Sequence, residues 1–476
     1  MSLSFFKKDI ENIMRNDKGL SGTAQRLEQL AWMLFLKIID DKDIERESFD
    51  SSYKSSIPKE FQWRNWAGND EGITGDDLIN FIDNPIDGLF ISLANLDLNS
   101  DKNKKILIKQ IFSSTNNFMK SGFILRQVIN RINEINFNNH NDKHVFGDIY
   151  EDLLLDLREA GGKGEHYTPR PITKLMVEMI KPKVGDNIID PSAGTGGFLV
   201  SSLDFLRKKE IKTSHQELNL ANNIIGWELK PISYVMGVTN LILHDIDVPN
   251  YTYHDSLMVE YRSLSEYEVD IVVANPPFGA SVDDQAITNF PKKFQTKESA
   301  LLFVVQIIEL LKEGGKAAIV LSDGCITGSG VYSRIREKLL KECNLHTIIK
   351  LPQSTFHPAT VPTNLLFFDK GEPTNDIWYY EHNLPKNQKS YSKTKPIRYE
   401  EFNQLKDWWN QRKEGTNSWC VNINDLDDFD LDIKNPATKI ETETRAPEEI
   451  MESIKSDMSS IQKEIQELLD GISRNA

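Results

Sequence analysis

The stretch "DIVVANPPFGAS", residues 270–281, decides how this chain folds. Asp270 to Ala274 are mostly β-branched and apolar, as in a strand buried on both faces of a parallel sheet. Pro276 and Pro277 end that strand, because proline cannot donate to a ladder. Asn275 is thereby set at the strand's carboxyl end, the edge of an open α/β sheet where ligands bind. Alone, the same residues read equally well as a strand followed by a proline-rich turn.

The surroundings settle the class. "DNIID", "NIIGWEL", "DIVVA", "KAAIVLS" and "HTIIKL" alternate with helical stretches from about residue 165 to 370, which implies βαβ units and a doubly wound α/β sheet. Before this, "GTAQRLEQLAWMLFLKIIDD" is apolar nearly all round, as a buried helix is, and strand signals are scarce. The organisation expected is an all-α N-terminal domain over 1–145, a doubly wound domain over 146–435 and a C-terminal helix over 436–476. In that tail, Ile454, Met458, Ile461, Ile465, Leu468 and Ile472 alternate spacings of four and three, a heptad seam that calls for a partner helix.

Composition narrows the setting. Hydrophobic residues make up 39% of the 476 and charged residues 27%, ordinary for globular domains. No apolar run approaches the about 18 residues of a membrane span, and the N-terminus turns polar too early for a signal peptide. A soluble cytoplasmic protein is the expectation. Cys325, Cys343 and Cys420 are scattered, against a disulfide framework or a zinc site, so no metal is expected. A net charge of -15 should repel a polyanion, so contact with nucleic acid needs a local patch or a partner. Lys386, Lys389, Lys393, Lys395 and Arg398 are candidates for phosphate contact, although charge runs are commonly solvated faces.

"NIIDPSAGTGGFLVSSLDFL" is the first strand–turn–helix of the α/β domain. Asp190 closes a strand, Gly194, Gly196 and Gly197 form the turn, and Phe198 onward is helical, so backbone N–H groups face the crevice. The spacing is G-x-G-G, and the next acidic strand end, Glu228, lies well beyond the ~20 residues of a dinucleotide fold. NAD is disfavoured. S-adenosylmethionine fits: an α-amino group near Asp190, directly or through water, ribose hydroxyls on Glu228 and an adenine amine on Asp255 in "YHDSL".

"DPSAGTGGF", Glu228, Asp255 and "NPPF", in that order, resemble the motifs of amino-methylating DNA methyltransferases. "GEHYTPRPI", the long helical domain before it and "LPQSTFHPATVPTNLLFF" resemble in particular the modification subunit of type I restriction-modification systems. The resemblance implies a Rossmann-like catalytic domain and methyl transfer from S-adenosylmethionine to adenine N6 in double-stranded DNA. It also implies a DNA-reading specificity subunit, with a second copy of the chain and a restriction nuclease subunit as further partners. It assigns catalysis to Asn275, Pro276, Pro277 and Phe278, and cofactor contacts to Tyr167, Thr168, Pro169, Asp190, Ser192, Gly194, Thr195, Gly196, Gly197, Phe198, Glu228, Asp255, Ser256 and Asn275. Phe278 stands where many relatives carry tyrosine, which keeps the stacking face.

An exocyclic adenine amine is a poor nucleophile, its lone pair being conjugated into the ring. Acceptance of its hydrogens by the Asn275 side-chain oxygen and the Pro276 carbonyl would pull the nitrogen toward tetrahedral geometry. A base paired in a duplex must be flipped out to be reached, and a flipped base needs an aromatic platform. Phe278 is expected on one face and Phe356 on the other, with a core aromatic as the alternative for Phe356. Protein glutamine, RNA and cytosine N4 offer the same planar amino group, and a non-catalytic assembly subunit would keep the same fold.

Overall fold

The computed structural model describes residues 3–99, 101–138, 150 and 167–437, together with a few positions between 451 and 462. The chain divides into a large unit, 1–433, and a small one, 434–476. The expected boundary at 145/146 and most of the C-terminal heptad seam lie outside the described residues. Of that seam only Met458 is described: it is helical and 58% exposed.

Among its described residues the N-terminal part forms helices joined by turns and loops, without a strand. Its longest helix, Thr23–Phe49, buries Trp32, Met33, Leu34, Phe35 and Leu36 in succession, as an apolar-all-round sequence demands. It packs on the helix Pro231–Leu243 of the α/β part. Lys42 pairs with Asp245 at 2.9 Å and Arg46 with Asp247 at 2.5 Å. Lys104 Nζ, buried, lies 2.9 Å from Asp43 and 3.8 Å from Asp247.

Among the described residues the α/β part is built on a nine-stranded sheet of order β3-β2-β1-β4-β5-β7-β6-β8-β9. The strands are β1 (Ile188–Asp190), β2 (Ile224–Glu228), β3 (Asn250–Tyr253), β4 (Val269–Ala274), β5 (Leu311–Ser322), β6 (Cys343–Leu351), β7 (Thr363–Lys370), β8 (Asp376–Glu381) and β9 (Ser418–Asn422). The first five, in space β3-β2-β1-β4-β5, run parallel. β7 lies antiparallel between β5 and β6. The expected doubly wound Rossmann-like domain, preceded by a helical one, is what the chain forms. Its strands read as continuous apolar runs because helices cover both faces; Ile188, Ile189, Val272 and Val273 are fully buried.

Candidate functional site: a strand-end cavity

The topology turns four dispersed residues into a row. Asp190 closes β1, Glu228 closes β2, Asp255 stands just past β3, and Asn275 follows β4. Because the spatial order is β3-β2-β1-β4, the row reads Asp255, Glu228, Asp190, Asn275 along one sheet edge. At about 4.8 Å per strand, three steps span about 14 Å, the scale of an extended nucleoside carrying an amino-acid arm. The edge opens into a cavity of about 550 Å³, walled by Tyr167, Ser192, Gly194, Thr195, Glu228, Asp255, Ser256, Asn275 and Pro277 among others.

Glu228 is the oriented group. Gly194 N–H donates to its Oε2 and Lys230 N–H to its Oε1, each at 2.7 Å, so both oxygens are fixed by backbone. Burial raises its pKa, and the same backbone donors oppose the rise. Asp190 is 1% exposed and is not one of the cavity's walls. Its Oδ1 accepts from Ser192 N–H at 3.0 Å, and Pro191 and Ser192 line the cavity in its place. Burial pushes the Asp190 carboxyl up to about 8; the Ser192 N–H pulls it down, and the nearby Glu228 charge adds to the rise. Asp255 Oδ1 accepts from Leu257 N–H at 3.0 Å, which fixes the turn after β3.

The glycine turn is held from below by Tyr251 of β3, whose hydroxyl donates to Gly194 O at 2.7 Å. A Cβ on Gly226 would meet the Tyr251 ring at 2.5 Å, and one on Gly237 would meet its hydroxyl at 2.6 Å. Those glycines make room for the tyrosine, and the tyrosine supports the turn. Gly194 and Gly196, at φ +57° and +76°, need the left-handed region that glycine enters without strain.

On the acceptor side, Asn275 Nδ2 donates to Thr168 Oγ1 at 3.0 Å. The amide nitrogen is engaged by that bond, and Oδ1 is buried at the cavity's edge. Pro277 lines the cavity; Phe278 is 8% exposed and is not among its walls. Phe356 corrects an expectation. It is 1% exposed, inside the β6–β7 connection, where Ala359 N–H bonds Phe356 O at 3.0 Å and Thr355 Oγ1 bonds Pro352 O at 2.7 Å. With no open face it is a core aromatic, not a platform for a base in this conformation.

Thr168, Pro169, Gly196, Gly197, Phe198 and Pro276 also stand behind the walls and not on them. Reasoning from sequence missed Trp227, Leu229, Lys230, Ser233, Leu257, Ser299, Phe303 and the segment 279–283, all of which line the cavity. Leu229 had a legible signal: an apolar residue directly after a strand-end carboxylate, here 52% exposed. The lysine-rich segment is exposed at Lys386, Lys389, Lys393, Lys395 and Arg398. It is anchored by buried Tyr391, whose hydroxyl donates to Glu401 at 2.6 Å. Among the described residues no three His, Cys, Asp or Glu side chains gather as a metal site, and no helix is long and apolar enough to cross a membrane.

A carboxylate row ending at an Asn-Pro-Pro-Phe turn defines an amino-group methyltransferase domain, and comparison with known proteins agrees. Residues 141–445 match the N-6 DNA methylase family and residues 8–132 the HsdM N-terminal domain. The chain is 45% identical over 472 residues to the type I restriction enzyme EcoEI methylase subunit of Escherichia coli, covering 97% of this chain and 96% of that one. The EcoKI methylase subunit of Escherichia coli is 34% identical over 53% of this chain and 50% of its own length. Among solved structures, a protein described as the modification subunit of a type I restriction enzyme from Vibrio vulnificus superposes with TM-score 0.82 at 37% identity, over 92% of this chain and 97% of that one. A chain from a type I restriction-modification system, solved for its complex assembly, superposes at 0.79 with 32% identity over 98% of both. The chain therefore belongs to the N-6 DNA methylase family, among the methylase subunits of type I restriction enzymes. Its activity class is DNA adenine methylation.

Proposed function

We propose that this chain methylates adenine N6 in double-stranded DNA with S-adenosylmethionine as donor, at sites chosen by a separate specificity subunit. The observation that carries the reading is the row Asp255, Glu228, Asp190, Asn275 along one sheet edge, with the Asn275 amide oriented by Thr168. The donor set fits the cofactor. Glu228, fixed by two backbone donors, suits vicinal ribose hydroxyls, and Asp255 suits an adenine amine with Leu229 beside it as an apolar face. Ser192, Thr195 and Tyr167 would meet the amino-acid end above buried Asp190. When bound, the cofactor supplies an electrophilic methyl group on a sulfonium.

The residues of the chain then do the rest. Asn275 Oδ1 and Pro276 O accept the two amine hydrogens, and the rigid proline backbone keeps those acceptors in place before the substrate arrives. Phe278 gives a face to the flipped base, which requires its ring to become accessible in the DNA-bound state. No strong general base is needed, because the methylated amine cation sheds its proton readily.

Double-stranded DNA, the specificity subunit, a second copy of the chain and a nuclease subunit are the partners proposed, with the exposed lysines of 386–398 as phosphate contacts. The heptad seam of 448–476 is assigned to the specificity subunit, and its deletion should stop co-purification while sparing cofactor binding. The main test incubates the chain and its co-purified partners with labelled S-adenosylmethionine and DNA and identifies the product nucleoside. N6-methyladenine is expected; label in protein or in cytosine would overturn the reading.

A further inference from the structure

The catalytic turn is gripped by two consecutive residues of another element. The helix Ser299–Leu310 packs its length into the core, with Leu301, Leu302, Val305 and Ile308 almost wholly buried, so its start is a rigid support. Ser299, 2% exposed, donates from Oγ to Pro277 O at 2.6 Å. Its neighbour Glu298, the residue preceding the helix, accepts at Oε1 from Gly279 N–H at 3.1 Å. Pro277 O belongs to the peptide group before Phe278, and Gly279 N–H to the peptide group after it. The two bonds bracket one residue.

We infer that Glu298 and Ser299 are positioning residues that hold the backbone at Phe278 and, through it, the place from which its ring meets the target base. This rests on the reading of the Asn275 turn as the methyl-transfer site. Proline locks φ at Pro276 and Pro277, but it does nothing for the torsions of Phe278. Gly279, at φ +62°, is a point where the chain turns freely. Tethering both flanking peptides to consecutive residues at the start of one helix holds the backbone on either side of Phe278 and leaves the ring its own side-chain torsions. The two tethers differ in weight. Ser299's bond is partly buried, whereas Gly279 is exposed and its N–H can bond water when Glu298 is lost, so the serine should matter more.

The test uses the assembled methyltransferase and four variants: Ser299→Ala, Ser299→Thr, Glu298→Ala and Glu298→Gln. Single-turnover methylation, S-adenosylmethionine affinity by equilibrium dialysis, 2-aminopurine fluorescence at the target position and Tm are measured for each. Ser299→Ala should slow methyl transfer about tenfold and Glu298→Ala about threefold, with the fluorescence change reduced in step. Ser299→Thr and Glu298→Gln, which keep a hydroxyl donor and an oxygen acceptor, should stay within about twofold of wild type, and cofactor affinity should hold within about twofold in all four. Unchanged rate and fluorescence in both alanine variants would overturn the inference. So would conservative variants as slow as the alanines, or a rate loss that follows lost cofactor affinity or Tm. A wild-type complex making no N6-methyladenine would instead reject the functional reading on which it rests.

Discussion

Asn275 Nδ2 donates to Thr168 Oγ1 at 3.0 Å across 107 positions of sequence. An asparagine amide presents either face, and only one has the oxygen that an adenine amine needs. The amide nitrogen faces the threonine hydroxyl, which leaves Oδ1 on the opposite side. Thr168→Val, nearly isosteric but without the acceptor, should lower kcat about tenfold, while Thr168→Ser should restore most of it. Steady-state kinetics of the assembled complex decide this, and an unimpaired valine variant would remove Thr168 from the mechanism.

Asn275→Ala removes an acceptor used chiefly in the transition state. Turnover should fall by about 10²–10³ or more, the range for deletion of one preorganised polar group, with S-adenosylmethionine affinity near wild type. Dialysis of labelled cofactor beside a methylation assay checks both halves.

Asp190 makes the ligand-free protein sensitive to pH. Its carboxyl rises from 3.8 to about 8 on folding, mainly through burial. The folded state therefore holds a proton that the unfolded chain releases. The stability linked to that proton is present in full below about pH 4 and is lost progressively as pH rises toward 8. Tm of wild type should fall relative to Asp190→Asn between pH 5 and about 8, and level off above. A cationic group settling nearby favours the carboxylate, so S-adenosylmethionine binding below pH 8 should release a proton, read as a buffer-dependent enthalpy in calorimetry.

The Tyr251 support can be loosened or jammed. Tyr251→Phe keeps the ring and loses the bond to Gly194 O, at a cost of about 1 kcal/mol. Gly226→Ala forces a methyl against the ring at 2.5 Å and should cost about 1–3 kcal/mol, the range for overpacking. Urea denaturation gives both values, and weakened cofactor binding should accompany each because the turn that cradles it moves.

At the junction of the helical and α/β parts, burial decides which ion pair counts. Lys104→Met leaves Asp43, which is 0% exposed, without its ammonium partner and should destabilise by about 3–5 kcal/mol. Lys42→Met, whose partner Asp245 is half exposed, should cost no more than about 1 kcal/mol. Equal losses would contradict this ranking.

The sequence by itself determined the elements and the order of the motifs. Apolar runs such as "DIVVA" and "KAAIVLS" became central strands, Pro276-Pro277 ended β4, and the Gly194–Gly197 turn opened a helix. These features are local: strand propensity, proline's missing donor and glycine's freedom act over a few residues, so a short window reveals them. What faces the cavity was decided only by the tertiary structure. Asp190 sank beneath its wall, Phe356 entered the core, and Leu229, Ser233 and Phe303 emerged as lining. The bonds that aim the site join Thr168 to Asn275, Tyr251 to Gly194 and Ser299 to Pro277. Each depends on how distant elements pack against one sheet edge, and the preferences of neighbouring residues hold no record of that distance.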